Sequence, residues 1–507
     1  MIVTGGGALG TLLVASSEAS PATILVLDSL LAILVVVDLA QRVTSAKYPT
    51  VFLRRHVIDL VLAVVLIGFV AGVGFWDLQQ RVPGGRLILA VAVLGRSGFY
   101  ALRLFAAMRK TVDFLLGLTA HPAQTIVTSF VVVILVGTSL LMMPFSGAEG
   151  VGLSFLDALF TATSAVCVTG LIVVDTATAF SVAGQIVILA LIQIGGLGII
   201  ILSYFALFVF RRSVGVEDKL LLAYTLSESD MSRLAGNLRT IVRTTFAIEA
   251  VGALLLAAPM AHRTSSALET VFYSGFHAVS AFCNAGFALF SDSLESFSGT
   301  VGANLVFAAL IVTGGLSFVV IQDLAGRSNN RRGLMVNTKI VLVTSGILLV
   351  TAFFGVYGLE HARSFADMPT GRQYLAAFFQ SVTLRTAGFN TVPFGNLGDA
   401  TLVLMMVFMI IGGASGSTAG GIKVNTIAVL FCFTRSRVRN LRQTVAFGQA
   451  VPEDTISRSI LILLFGITAC VVFGLVLLIS EDAPVSHVLF ETASAFGTVG
   501  LSTGLTP

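Results

Sequence analysis

Four short strings in this sequence carry groups from which an ion site can be built. They are SAVCVTGL at 164–171, SAFCNAGF at 280–287, VTLRTAGF at 382–389 and SAFGTVGL at 494–501. They are nearly uncharged, so their useful chemistry lies in the main chain. Aligned on the last glycine (Gly170, Gly286, Gly388, Gly500), the strings stand 116, 102 and 112 residues apart. Ten residues before each glycine is Phe160, Phe276, Phe378 or Phe490. Six before is Ser164, Ser280 or Ser494, with Val382 the exception, and directly after come Leu171, Phe287, Phe389 and Leu501. Glycine takes φ > 0 without a Cβ penalty, so a glycine turn can aim successive carbonyls at one axis. Four such turns would form a ring of oxygens able to replace the hydration shell of a monovalent cation. The expected contributors are Val166, Cys167, Val168, Thr169 and Gly170, then Cys283, Asn284, Ala285 and Gly286 behind Phe282. The third set is Arg385, Thr386, Ala387 and Gly388 behind Leu384; the fourth is Gly497, Thr498, Val499 and Gly500 behind Phe496. Close helix packing accounts for any one such glycine, but not for four in the same register.

These turns need a scaffold that brings them together. Of 507 residues, 56% are apolar and 11% are charged, against about 25% charged in soluble domains. The chain therefore reads as an all-α, polytopic membrane protein. Spans of ~20 apolar residues are expected at 22–40, 57–75, 86–107, 125–144, 182–210, 239–260, 300–321, 339–357, 400–433 and 458–479. Apolar stretches near 154–167, 268–283, 373–384 and 485–496 are too short to cross and read as re-entrant half-helices, each just before one glycine turn. A half-helix ending inside the membrane points its negative dipole end inward, which favours a cation. The unit is span, half-helix, glycine turn, span. Its copies are parallel, so they can surround one axis along the membrane normal. The expected boundaries are 1–110 for accessory spans, then pore repeats at 111–215, 216–325, 326–440 and 441–507. The chain ends seven residues past Gly500, so the fourth repeat is expected to lack its second span, as in a fragment or truncated product.

Basic residues fix an orientation. Arg42, Lys47, Arg54, Arg55, Arg109, Lys110, Arg211, Arg212, Lys219, Arg233, Arg327, Arg331, Arg332, Arg435, Arg437, Arg439 and Arg442 fall on one side of the span list. Arg81, Arg263, Arg363 and Arg372 fall on the other. The positive-inside rule makes the first side cytoplasmic and the N-terminus external. The net charge of +4 is explained by these loops, and no Lys/Arg run is long enough to track nucleic acid. The four cysteines, Cys167, Cys283, Cys432 and Cys470, form no CxxC pair and read as small packed hydrophobes.

The stretch GGASGSTAGG at 412–421 interrupts the span 400–433. Its residues cannot hold a helix in lipid, so it is expected to line the water path. The candidates are Gly412, Gly413, Ser415, Gly416, Ser417, Thr418, Gly420 and Gly421, with Lys423 just behind them. A phosphate-binding P-loop would need Gly-Lys followed directly by Ser or Thr, and Ile422 and Val424 break that spacing. GGGALG at 5–10 fits a dinucleotide pattern but follows no strand, and reads as a flexible terminus.

At TATSAVCVTGL, FHAVSAFCNAGF, SVTLRTAGFNT, FETASAFGTVGLSTG and GGASGSTAGGIK the sequence resembles the Trk/Ktr/HKT superfamily of potassium transporters, over roughly 120–507. The resemblance implies four non-identical repeats around one pore, each giving one filter glycine. It implies K+ held by backbone carbonyls and a gating loop at 412–421. It also implies a homodimer in the bacterial inner membrane on a cytoplasmic RCK-type ring, which carries the nucleotide because this chain has no such domain. No covalent cofactor is implied. A serine at the first filter position accompanies sodium permeation in plant members; Gly170 favours potassium. The alternatives are a sodium-permeable transporter or a secondary transporter of another solute, although the latter often has inverted repeats and midplane charges. An enzyme is not expected, because no nucleophile–base pair or HExxH motif is present.

A few charges need an account. Arg385, inside the third string, is expected to point behind the filter and pair with Glu491. Asp175 is expected at the outer mouth, either concentrating cations there or as a plain solvated loop residue, the two readings standing about equal. His277 and His487 are expected to be structural. Arg86, Arg96 and Arg103 are spaced too widely for a voltage sensor.

Overall fold

The computed structural model describes residues 122–148, 152–198, 234–326 and 333–506. These lie in the second of two compact units, Met1–Ala120 and His121–Pro507. The expected spans at 22–40, 57–75 and 86–107, the GGGALG segment and the basic residues up to Arg233 lie outside the described residues. So do Arg327, Arg331, Arg332 and the tail of the span 182–210.

The first repeat has α1 (Pro122–Leu141), the half-helix α2 (Phe155–Val166), a short turn α3 (Thr176–Ala179) and α4 (Val182–Gly196). The second has α5 (Leu234–Met260), the half-helix α6 (Ala267–Phe282), α7 (Val301–Gly315) and α8 (Phe318–Gly326). The third has α9 (Val336–Glu360), the half-helix α10 (Thr370–Thr383), α11 (Asp399–Ile410) and α12 (Val424–Val438). The fourth has α13 (Glu453–Ser480) and the half-helix α14 (Val485–Gly497).

Local chemistry starts each half-helix where the sequence placed it. Ser154 and Asp157 form a reciprocal capping box at α2, and Ser266 caps α6 by accepting from the Glu269 N–H. Pro369 and Pro484 precede α10 and α14, where a missing N–H costs nothing because the first helical donors are unpaired anyway. The half-helices run 12 to 16 residues, too short to cross a bilayer.

Packing is cyclic. Each half-helix packs against the first span of its own repeat: α2 on α1, α6 on α5, α10 on α9, α14 on α13. The second span of one repeat packs on the half-helix of the next: α4 on α6, α7 on α10, α11 on α14. Phe276, Phe282, Phe287, Phe307, Phe379, Phe389 and Phe490 are fully buried between these layers. The outside is apolar as well, with Leu254, Phe354, Phe465 and Ile479 well exposed. Thr240–Met260, Val336–Glu360 and Glu453–Ser480 are each long and apolar enough to span a membrane.

Two features differ from the sequence reading. The segment 300–321 is not one straight span: α7 stops at Gly315, and α8 leaves at 102° to it. The cause is the Gly314–Gly315 pair, whose weak helix propensity lets neighbouring backbone take over the freed carbonyls. The all-α reading also did not include a small hairpin between α12 and α13, in which β1 (Val445–Ala446) pairs with β2 (Gln449–Ala450).

Candidate ion filter and the adjoining loop

The four strings adopt one backbone conformation. The residue two before each glycine is left-handed: Val168, Asn284, Thr386 and Thr498 have φ of 55°, 58°, 63° and 50°. The glycines follow with φ of 84°, 72°, 77° and 88°. In repeats 1, 2 and 4 the left-handed residue closes a Schellman cap. There the N–H groups of Thr169, Ala285 and Val499 reach back to the carbonyls of Ser164, Ser280 and Ser494, each at 2.8 Å. Repeat 3 differs: Ala387 N–H bonds Thr383 O at 3.0 Å. It also lacks the serine six before its glycine, and Thr383, one residue later, makes the bond that Ser280 makes in repeat 2. The Ser280 hydroxyl donates to Phe287 O at 2.7 Å, and the Thr383 hydroxyl donates to Phe389 O at 2.6 Å. The Val382 exception thus has a compensating neighbour.

The four glycines meet in a ring. A Cβ on Gly170 would lie 2.5 Å from Ala285 O, and one on Gly286 would lie 2.9 Å from the Gly388 Cα. A Cβ on Gly388 would lie 2.4 Å from Val499 O, and one on Gly500 would lie 2.5 Å from Thr169 O. The order 170, 286, 388, 500 and back to 170 closes a circle. The carbonyls of Thr169, Ala285, Ala387 and Val499 accept no hydrogen bond from the described residues. These four oxygens are gathered in one ring and are unpaired among the described residues. A cavity of about 310 Å³ opens on the ring and is lined by all four glycines. Its wall also carries Asp175, Asp292 and Glu295 and, among the described residues, no Lys or Arg. Asp175 caps α3 and bonds Ser291 across the first two repeats. Glu295 accepts from the Asn390 amide at 2.8 Å. Burial and the nearby Asp292 charge push its carboxyl above the usual carboxylate range.

The loop 411–423 runs between α11 and α12 and touches two of the glycine turns. The Thr418 hydroxyl lies 3.1 Å from Phe282 O at the end of α6 and 2.9 Å from Gly314 O in the α7 break. Thr418 N–H also bonds Gly314 O at 3.2 Å, and Ala414 N–H bonds Gly315 O at 3.0 Å. A Cβ on Gly420 would strike the Thr498 hydroxyl at 1.9 Å. Gly416 and Gly421 have φ of 74° and 64°. Ser415 N–H donates to Asn425 Oδ1 and Ser417 donates to Ala414 O. Gly412 N–H pairs with Ile422 O, and Val424 N–H pairs with Gly413 O. Lys423 turns back on its own loop and donates to Ala419 O.

One expected pair does not form. Glu491 accepts from Ser502, Thr503 and Thr506, so its carboxylate holds the chain after the fourth turn. Arg385 is 7% exposed, and its Nε and Nη2 have no partner among the described residues. His277 is structural: its Nδ1 faces Tyr273 O and its Nε2 accepts from Leu289 N–H. Sequence reasoning missed a further signal, a glycine pair in each second span: Gly195–Gly196, Gly314–Gly315 and Gly412–Gly413. The first two let the span pass the end of its own half-helix, where a Cβ on Gly195 or Gly314 would strike Val166 O or Phe282 O.

Residues 106–507 match the family model described as "TrkH: Cation transport protein". The chain belongs to the TrkH family of cation transport proteins. Among its relatives within and around that family, the Ktr system potassium uptake protein B of Vibrio alginolyticus is 39% identical over 392 residues, 76% of this chain and 84% of that one. The protein of the same name from Bacillus subtilis is 36% identical over 390 residues, covering 76% and 86%. The potassium/sodium uptake protein NtpJ of Enterococcus hirae is 36% identical over 391 residues, with the same coverage. The crystal structure of the potassium transporter TrkH from Vibrio parahaemolyticus shares the fold at TM-score 0.58 and 19% identity, covering 88% of this chain and 89% of that one. The helical membrane architecture is thus that of the TrkH family.

Proposed function

We propose that this chain carries potassium into the cell through a filter of backbone carbonyls centred on Gly170, Gly286, Gly388 and Gly500. The observation that carries the proposal is the closed ring of Thr169, Ala285, Ala387 and Val499 carbonyls, none accepting a hydrogen bond from the described residues. Such a ring suits a dehydrated monovalent cation. The potassium uptake named for the Bacillus and Vibrio relatives supports the same ion. The three carboxylates around the cavity would raise the local cation concentration. The loop from Gly412 to Lys423 serves as the gate: it is the non-helical segment of an otherwise apolar span and bears on two filter turns. Sodium is the second reading, favoured by the name of the Enterococcus relative; glycine at all four filter positions weighs toward potassium. The site is proposed in a bacterial inner membrane, with the cavity outside. A second copy of the chain and a cytoplasmic nucleotide-binding ring are the proposed partners.

The test is rubidium uptake by cells lacking their own potassium importers, with sodium as competitor. Expression of this chain is expected to restore uptake, and Gly286→Ser is expected to reduce it or its preference over sodium. No uptake by the unaltered chain at verified membrane levels would sink the proposal.

A further inference from the structure

We infer that Glu249 is a positioning residue that fixes the second filter turn and thereby sets discrimination between potassium and sodium; the inference rests on the filter reading above. Glu249 lies on α5 and is 4% exposed. Its Oε1 accepts from Gln193 Nε2 at 3.0 Å, across the seam from α4 of the first repeat. The same oxygen faces Cys283 Sγ at 3.9 Å, the outer limit of a thiol hydrogen bond. Its Oε2 is buried without a partner, and no cation pairs with it among the described residues.

Cys283 is the C-cap of α6 and immediately precedes the left-handed Asn284. Its sulfur also packs closely on Gly196 of α4, where a Cβ would lie 2.4 Å from Sγ. The turn is also tied on its far side, where Thr418 bonds Phe282 O. The turn that carries the Ala285 carbonyl is therefore held at two points, by Glu249 of its own repeat, itself joined to Gln193 of the first, and by Thr418 of the loop 411–423. The corresponding positions in the other turns are Cys167, Arg385 and Gly497, and no carboxylate is joined to them among the described residues.

A packing role alone does not account for a carboxyl here. Burying one without a counter-ion is costly, and an apolar side chain of similar volume would often be as stable or more so. What a carboxyl adds is a directed acceptor between two repeats. Filter selectivity depends on how carbonyls are held around the ion, so a loss of that acceptor is expected to appear in ion preference before it appears in folding.

The test measures rubidium uptake against sodium competition for the full chain carrying Glu249→Gln or Glu249→Leu, alongside membrane abundance and thermal melting. Glu249→Leu is expected to lower potassium-over-sodium discrimination about tenfold, or about 1.4 kcal/mol, and Glu249→Gln, which keeps an acceptor oxygen, to retain it. Discrimination by Glu249→Leu within about twofold of the unaltered chain would overturn the inference while leaving the filter reading intact. An equal loss in both variants would overturn the acceptor role. Failure of the unaltered chain to take up rubidium would instead sink the filter reading. If Glu249→Leu does not reach the membrane, Gln193→Leu and Cys283→Ala take its place: a loss of discrimination in both supports the inference, and unchanged discrimination in either overturns it.

Discussion

At the residue scale, the four ring glycines are fixed by two independent demands. Gly388 has φ of 77°, and any Cβ there would lie 2.4 Å from Val499 O. Gly388→Ala therefore meets left-handed strain of about 1–2 kcal/mol and a backbone clash that only movement of the fourth turn can relieve. It is expected to abolish rubidium uptake, whereas Gly346→Ala, on α9 with open space around it, should leave uptake unchanged; equal uptake by both would count against the ring. Glu295 supports a second prediction. Its raised proton affinity means that it loses its charge, as external pH falls, sooner than a free glutamate would. The cavity then becomes less negative, so at low ionic strength the KM for potassium should rise as pH falls. Glu295→Gln should raise that KM at neutral pH and flatten this part of its pH profile, and added salt should shrink both effects. The sign for stability is also set: a carboxyl raised in the folded state favours the fold below its unfolded pKa, and that contribution is lost as pH rises through the folded value. A KM profile identical in Glu295→Gln and the unaltered chain would show that this carboxylate does not act on the entering ion.

At the element scale, the half-helices were legible in the sequence because four apolar stretches too short to cross each run into a glycine turn; the structure adds the residues that start them, Ser154, Ser266, Pro369 and Pro484. The break in 400–433 was legible too, since ten Gly, Ser, Thr and Ala residues cannot persist as a helix in lipid. The break after Gly315 was not. IVTGGLSF reads as a continuous apolar run, and nothing in it reveals that Ala414 and Thr418, about a hundred residues later, hold the Gly314 and Gly315 carbonyls. The left-handed Val168 was equally hidden, because a β-branched residue is a poor guess for that conformation, and tertiary packing imposes it. The Arg385–Glu491 pair failed for a similar reason, since proximity along the repeat does not reveal that Ser502, Thr503 and Thr506 saturate Glu491. The interlock between the α7 break and the loop yields a prediction. Thr418→Val keeps the volume and removes the hydroxyl shared by Phe282 O and Gly314 O. Losing it should cost about 1–3 kcal/mol, seen as a lower melting temperature of purified protein. Under the gate reading the loop is then freer to move, and rubidium uptake should become faster. Slower uptake at equal abundance would show that the loop supports the filter instead of closing the path.

At the scale of the whole molecule, fourfold repetition gives the pore its symmetry, while orientation comes from charge. α12 ends with Arg435 and Arg437 in its last turn, followed by Arg439 and Arg442. Two causes coincide there: cations complement the negative end of the helix, and cytoplasmic loops collect arginine and lysine. The cavity carrying Asp175, Asp292 and Glu295 belongs to segments on the opposite side of the same spans. Cations would then enter from the acidic face and leave through the loop toward the basic face, which is the direction uptake requires. Under the proposed orientation the hairpin at Val445–Ala450 would lie in the cytoplasm and the link between α13 and α14 outside. Gln449 and Asp482 are exposed representatives of the two sides. A membrane-impermeant thiol reagent should label Asp482→Cys in intact cells and Gln449→Cys only in inside-out vesicles, each read against the unaltered chain because Cys167, Cys432 and Cys470 are partly accessible. The reverse pattern would turn the acidic cavity inward, and the chain would then be built to collect cations from the cell interior, against the proposed direction of transport.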